Sequence, residues 1–388
     1  MSTAPIVHID LAAFWADPYP TLKKMRRETP IAFVPELNRT LLTRRDDIIK
    51  AEPDFAIFSS QQPEGLMVKL MGENLMRKDG EAHAVERKAI FPTVSPRTVR
   101  DHWTAQFKTS ATEILDELGT SGDGDLFTGF ATRLSGEALR SLTGLTALSW
   151  QDIDQASQAM IDGVSNYAGD PTVEARCRIA TTRIDTAITA AIPNACANPG
   201  LDLLSIMLGA DLPKPSIHAN IKLAISGGQN EPRDVIAGII WALLTHPDQL
   251  KLVLNGQITW LQVFEEFVRW LAPIGMSPRR VAQDSTLFGV DFKIGDDVFF
   301  MFGSANHDED YFDNPEQFDI TRNAGKHIAF GAGPHFCAGA WASKALIAGV
   351  ALPMIFERLK NLRLTGDVRV GGWAFRGVLN LPCAWGQL

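Results

Sequence analysis

The run FGAGPHFCAG (residues 330–339) decides how this chain is read. It places three glycines, Pro334, His335 and Cys337 within ten residues, and an apolar, alanine-rich stretch follows it. A cysteine acts as ligand or nucleophile only as the thiolate. Glycines let a backbone fold tightly and aim several N–H groups at one point. A helix expected over 340–359 would add its positive N-terminal end. Both features favour an anionic sulfur at Cys337. Four explanations stand at this point. The thiolate could ligate a haem iron, whose flat macrocycle needs small residues close by. Cys337 could be a nucleophile with His335 as base, although residues i and i+2 of a tight loop seldom meet. The loop could bind an anion, although no lysine follows the GAG as in a phosphate loop. Or Cys337 is an ordinary buried thiol.

Bulk properties narrow the field. The chain has 388 residues, with 45 acidic against 37 basic, for a net charge of -8. An acidic total offers a polyanion nothing to bind, so no nucleic-acid partner is expected. The N-terminus MSTAPIVHIDLAAFWADPYP has no charged region leading into a long apolar run, so no signal peptide is read there. No unbroken apolar stretch reaches membrane-span length, 235–244 being the richest candidate. The expectation is a cytoplasmic protein without a membrane association. Cys177, Cys196 and Cys383 form no CxxC pair with each other or with Cys337, which argues against structural zinc. They read as ordinary reduced side chains.

The segment IAFVPELNRTLLTRRDDIIKA reads as strand, turn, strand, helix. From about 110 to 254 the chain is mostly helical. TLFGVDFKIGDDVFFMF returns to short strands with IGDD as a turn, and the tail NLRLTGDVRVGGWAFRGVLNLPCAW is strand and turn again. With no repeat and no low-complexity linker, one compact domain over 1–388 is expected, mainly α, with β-rich subregions near 30–45, 282–302 and 362–386.

The cysteine run resembles the haem-binding signature of the cytochrome P-450 haem-thiolate monooxygenases, F-G-x-G-x-[HR]-x-C-x-G. Phe330, Gly331, Gly333, His335, Cys337 and Gly339 all match it. The resemblance implies a cytochrome P-450 fold, mainly helical with small sheets, holding haem b (heme b, iron protoporphyrin IX) with Cys337 as the axial iron ligand. It extends over about residues 15–386. Glu266 and Arg269 of EEFVRW, i and i+3 on an expected helix, share a face. They resemble the family's buried structural ExxR pair. DYFDNPEQFDITR is similar to the segment leading into the haem loop, with Phe318 and Arg322 as its structural members.

Two buried haem propionates call for cationic partners. DGEAHAVERKAIFPTVSPR resembles the family's H-x-x-x-R stretch and puts His83 and Arg87 on one helix face. SPRRVAQD resembles the arginine-bearing strand, and its spacing to Asp284 favours Arg279 over Arg280. His335 would be a further propionate contact. Phe330 and Gly339 complete the cofactor-binding set.

The stretch IKLAISGGQNEPRDVIAGIIWALLTHPDQL reads as a long apolar helix with a kink or widened groove. Gly227 and Gly228 weaken it, and Pro232 deprives the Gly228 carbonyl of its helical partner. It resembles the family's distal helix with its small-G-x-[DE]-T-T motif. Counted back from HPDQL, Gly227 and Gly228 fall on the small-Gly pair, Asn230 on the acid and Glu231 on the first threonine. A carboxyl therefore stands where a hydroxyl is expected. Glu231, with Asn230, Gly228 and water, is read as the oxygen-activating group, provided an apolar pocket raises its pKa. A one-residue slip would make Glu231 the acid and Pro232 the alcohol's replacement.

The resemblance places Met67, Leu75, Ile225, Ile274 and Phe375 around a largely apolar substrate pocket. GGQNEPRD resembles a subset that includes O-demethylases of small methyl ethers. The implied reaction inserts one atom of O2 into a C–H bond of a small, largely apolar molecule. With no flavin or iron–sulfur sequence present, electrons would come from a separate ferredoxin or flavodoxin and an NAD(P)H-dependent reductase. Arg97, Arg100 and Lys344 are candidates to meet that partner, and a monomer is expected. A peroxygenase, an isomerase, and a non-catalytic haem sensor or electron carrier are the alternatives.

Overall fold

The segment 31–51 shows how alternation and turn chemistry are realised. In the computed structural model, described over residues 2–167 and 169–386, strands Ile31–Val34 and Arg39–Leu42 pair antiparallel. Asn38 takes φ 52° in the turn between them, a conformation that asparagine tolerates. Helix Arg45–Ala51 follows, with Asp46 and Asp47 in its first turn, where a helix favours acid.

Residue contacts group the chain into two compact units, each made of non-contiguous segments. The first comprises Met1–Gln62, Gly238–Cys337 and Asp367–Leu379. Its five-stranded sheet has the order Ile31–Val34, Arg39–Leu42, Asp297–Phe300, Ser277–Val281, Phe58–Ser59. Only the Arg39–Leu42/Asp297–Phe300 pairing is parallel among these. Strands Ser285–Leu287 and Val290–Phe292 form a hairpin across Phe288 and Gly289, both at positive φ, as a tight two-residue turn needs. The sheet buries Leu42, Phe58, Phe292, Val298 and Phe300 on one side and Val34, Leu41 and Phe299 on the other. Helix Trp260–Leu271 starts in a capping box, with Thr259 and Gln262 exchanging side-chain and backbone hydrogen bonds.

The second unit comprises Pro63–Ala237, Ala338–Gly366 and Asn380–Leu388. It is helical, with a three-stranded sheet joining Gly122–Asp125, Pro382–Trp385 and Arg363–Leu364. Its core packs Ile153, Met160, Cys177, Ile184, Leu204, Ile221 and Ile225. The helix expected after the cysteine loop runs from Ala340 to Arg358, passing through a π-turn at Ile347–Ala351. The most membrane-like stretch is 333–358 rather than 235–244. It is long and apolar enough to cross a membrane, but more than half of its most apolar part is buried in the protein, as in a core helix.

Helix Lys214–Thr245 runs unbroken through Gly227, Gly228 and Pro232. A side chain from another helix reaches the backbone beside Pro232. Ser135 Oγ donates to Gln229 O at 2.8 Å and lies 3.4 Å from Gly228 O. The single hydroxyl proton serves the nearer carbonyl, so Ser135 braces the turn next to the one that Pro232 leaves unserved.

Candidate active site

The cysteine loop closes on itself. Gly331 and Gly333 adopt φ 73° and 61°, which only glycine takes without strain. A 3-10 turn spans Gly333–His335, and Cys337 N–H donates to Phe330 O at 2.9 Å. The loop ends with Cys337 exposed. Cys177 and Cys383 are buried instead, and burial pushes their thiols up to about 11 and about 12. Phe330 anchors the loop start, 6.0 Å from the Phe264 ring. His335 Nε2 sits 3.1 Å from Ser60 Oγ.

Beneath this loop in sequence order, Glu266 and Arg269 are both wholly buried. Arg269 forks onto the carboxylate with two bonds of 2.7 Å and donates also to the carbonyls of Asn306, Pro315 and Gln317. Glu266 additionally accepts from Asp319 N–H at 3.0 Å and Arg322 Nε at 3.3 Å. Phe318 is buried against Trp270 and Phe267. This hydrogen-bonded ion cluster pins the 306–322 segment. Buried charges persist only when satisfied this fully.

Arg279 carries a finding that sequence spacing did not anticipate. It is 3% exposed, and its Nη2 donates to Glu52 at 2.8 Å, while Nη1 donates to Ser277 Oγ and Pro278 O. The arginine expected to meet a propionate already holds a carboxylate of the chain. In the second unit, His83 is buried and Arg87 half-buried on helix Gly80–Val94, at i and i+4.

On helix Lys214–Thr245 the residues separate by face. Gly227 is exposed, and a Cβ added there would meet nothing within 4 Å. Glu231 lies one turn on, half-buried, with Oε2 sealed and finding no hydrogen-bond partner among the described residues. Burial raises its pKa from 4.5 to about 7, and the nearby Asp234 carboxylate adds to the rise. Asp234 is itself raised to about 6 by burial, although Arg233 donates to it at 2.8 Å. Arg233 also reaches Asp154 at 3.3 Å and lies over the Phe127 ring.

The other two residues read as oxygen-activating have packing partners. Asn230 is buried, accepting from Ser157 Oγ at 3.1 Å and donating to Gln158 at 3.4 Å. Gly228 lets helix Arg133–Thr143 come close, since an added Cβ would stand 2.9 Å from Leu139 Cδ2.

The pocket candidates also divide. Ile274 and Phe375 are joined by an antiparallel bridge and are half-buried. Met67 is half-buried. Leu75 and Ile225 are instead core residues, at 7% and 0% exposure. Ile225 is two residues from Gly227 and so points about 200° away around the helix. Ala224, three residues before Gly227 and half-buried, shares its face, and counting i−3 from the exposed glycine would have named it.

A haem needs a reachable thiolate, glycines that allow close backbone approach, cations for its carboxylates and an uncluttered opposite face. In the first unit, Cys337 in its left-handed glycine loop, Arg279 and His335 match the thiolate and cation part of that donor set, and in the second unit Gly227 leaves an open step beside the sealed Glu231 Oε2.

Comparison with known proteins agrees. Residues 260–345 match the family model described as Cytochrome P450. The chain belongs to the cytochrome P450 family. Among its P450 relatives, pulcherriminic acid synthase of Bacillus subtilis is 26% identical, over 91% of each chain. Cytochrome P450 107B1 of Saccharopolyspora erythraea is 27% identical over 95% of each. The fold is that of P450BioI, solved in complex with an acyl carrier protein ligated to hexadec-9Z-enoic acid. That match has a TM-score of 0.87 at 21% identity and covers 97% of this chain and all of the other. As a P450 the protein is a monooxygenase-class oxidoreductase that uses haem with a cysteine thiolate ligand.

Proposed function

We propose that this P450 inserts one atom of O2 into a C–H bond of a small, largely apolar substrate, and that Glu231 handles the protons. The observation carrying the second half is the partnerless Oε2 of Glu231, one turn from the open step at Gly227. Haem b, ligated through Cys337 with His83, Arg87, Arg279 and His335 toward its carboxylates, would supply the electron storage and oxygen activation.

The balance is R–H + O2 + 2 electrons + 2 protons giving R–OH + water. The protons must arrive where bulk water is kept out. A carboxyl whose pKa lies near 7 is half-protonated at working pH, so Oε2 can both give up a proton and be recharged. Asn230 serves by holding the helix rather than by moving protons, since its amide is engaged with Ser157 and Gln158.

For the substrate, Met67, Ala224, Ile274 and Phe375 offer apolar surface without charge. Relatives bear names as different as pulcherriminic acid synthase and steroid C26-monooxygenase, so the choice rests on this chain's own residues. Among small apolar substrates we put methyl ethers first. Oxygen insertion at the methyl carbon gives a hemiacetal that breaks down to the alcohol and formaldehyde. Electrons would come from a separate ferredoxin or flavodoxin and its NAD(P)H-dependent reductase, in the cytoplasm, with the P450 acting as a monomer.

The test begins with the CO spectrum of the reduced protein, which must be of thiolate type. A panel of small methyl ethers, terpenes and fatty acids is then screened for a high-spin shift of the Soret band, and hits are assayed for formaldehyde. Glu231→Gln should consume electrons without matching product, and unchanged coupling would refute its role. A carboxyl in place of a hydroxyl also favours a second reading, peroxide-driven turnover. Product formed from hydrogen peroxide without any reductase would support it.

A further inference from the structure

We propose that Glu52 is a positioning residue that shares Arg279 with the cofactor's carboxylates and so sets the local charge under which the iron is reduced. The inference rests on the haem site proposed above, and on three contacts of one short segment.

The first contact is the ion pair itself. Glu52 and Arg279 side chains are 1% and 3% exposed and meet at 2.8 Å. A pair so desolvated is held firmly, because either charge alone would be costly to bury. The guanidinium has five N–H donors. Two on Nη1 go to Ser277 Oγ and Pro278 O, and one on Nη2 goes to Glu52. Among the described residues the Nε–H and the second Nη2–H have no partner, which leaves them for a further carboxylate. Phe300 lies against the guanidinium at 5.3 Å and fixes its plane.

The second contact joins the same glutamate to the cysteine loop. A Cβ added to Gly333 would lie 3.6 Å from Pro53 N and 3.7 Å from the Glu52 carbonyl carbon and Cβ. The third lies eight residues on, where Ser60 Oγ meets His335 Nε2 at 3.1 Å. The segment 52–60 therefore touches Arg279, the cysteine loop and His335, the parts of the first unit assigned to the cofactor. Of these contacts only Glu52 brings a full charge.

That charge has a definite sign of effect. Arg279 alone would compensate a propionate. With Glu52 bound to it, part of its positive charge is already spent. Removing the Glu52 charge leaves the surroundings one unit more positive, which favours the ferrous over the ferric state. Interactions of this kind survive inside a protein because the effective dielectric is far below that of water.

The decisive variant is Glu52→Gln, which keeps the shape and an acceptor for Arg279 but loses the charge. The measurement is the ferric/ferrous midpoint of the purified holoprotein by spectroelectrochemistry, at matched cofactor occupancy. The expected result is a shift toward the ferrous form of about threefold to tenfold, tenfold being ~59 mV for a one-electron couple. Glu52→Asp, which keeps the charge, should leave the midpoint near that of the parent. Should Glu52→Gln not fold, Arg279→Gln leaves Glu52 as the surviving charge, and the midpoint must fall by a comparable factor. A Glu52→Gln midpoint equal to the parent's, or lower, overturns the proposal even if thermal stability drops. A parent without a thiolate-type CO spectrum would instead defeat the haem reading on which the proposal stands.

Discussion

Glu231→Gln should make the protein more stable, and more so the higher the pH. Oε2 of Glu231 is sealed without a partner among the described residues, and burial raises the pKa from 4.5 to about 7. A carboxyl that binds its proton more tightly when folded contributes stability below its unfolded pKa of 4.5. That contribution is lost as pH rises through the folded value near 7, because the folded state must then give up the proton or bury a charge. From 4.5 to 7, at 1.36 kcal/mol per pH unit, the swing is about 3 kcal/mol. Glutamine is neutral throughout and escapes it. Over 388 residues, an unfolding entropy of about 2.1 cal/mol/K each sums to roughly 0.8 kcal/mol/K, so the swing equals ~4 °C in Tm. Calorimetry of parent and variant holoprotein at pH 5 and pH 8.5 should show the variant gaining about that much across the interval. A Tm gap that stays constant with pH would mean that Glu231 is not buried as a near-neutral acid, and the proton-handling argument would fail with it.

Product formed per electron consumed should fall between pH 6 and pH 8 as Oε2 loses its proton, and a flat profile would contradict the role given to Glu231. Gly227→Ala should stabilise by up to about 1 kcal/mol, because alanine favours the helix and open space receives its methyl. Gly228→Ala gains the same helix preference but meets Leu139 at an overpacking cost of about 1–3 kcal/mol, so a Gly228→Ala urea midpoint above that of Gly227→Ala would refute the division of faces. Glu266→Ala leaves Arg269 buried and uncompensated, and denaturation should register a loss of about 3–5 kcal/mol. Asn230→Leu should cost about 1–3 kcal/mol through Ser157 while leaving coupling intact, and lost coupling at unchanged stability would restore Asn230 to the proton path.

What could be read from sequence was local. The cysteine loop depends on residues within ten positions of one another, and its glycine angles and the closing Cys337–Phe330 bond follow from that run. The Glu266–Arg269 pair is an i,i+3 relation on one helix, so its pairing was legible too. The partners that change the account lie far apart in the chain. Glu52 and Arg279 are 227 residues apart, and Ser157 and Asn230 are 73 apart. No periodicity signals such a meeting. The Pro232 helix illustrates the same limit. Propensity predicted a kink or widened groove, but not that Ser135, from a helix almost a hundred residues earlier, would donate to the Gln229 carbonyl there. Ile225 failed for a different reason. The face opposite Gly227 is as apolar as the face beside it, and only burial distinguishes them.

The parallel pairing of Arg39–Leu42 with Asp297–Phe300 has a consequence for synthesis. About 260 residues separate Thr40 from Val298, so at roughly 5–20 residues per second the ribosome needs about 13–50 s to deliver the partner strand. Throughout that time the early hairpin can form, but its Arg39–Leu42 edge, which carries Leu41 and Leu42, stays unpaired. Such an edge is a template for pairing with another nascent chain. Yield in a heterologous host should therefore depend on translation speed and on holdase chaperones more than on the stability of the finished protein.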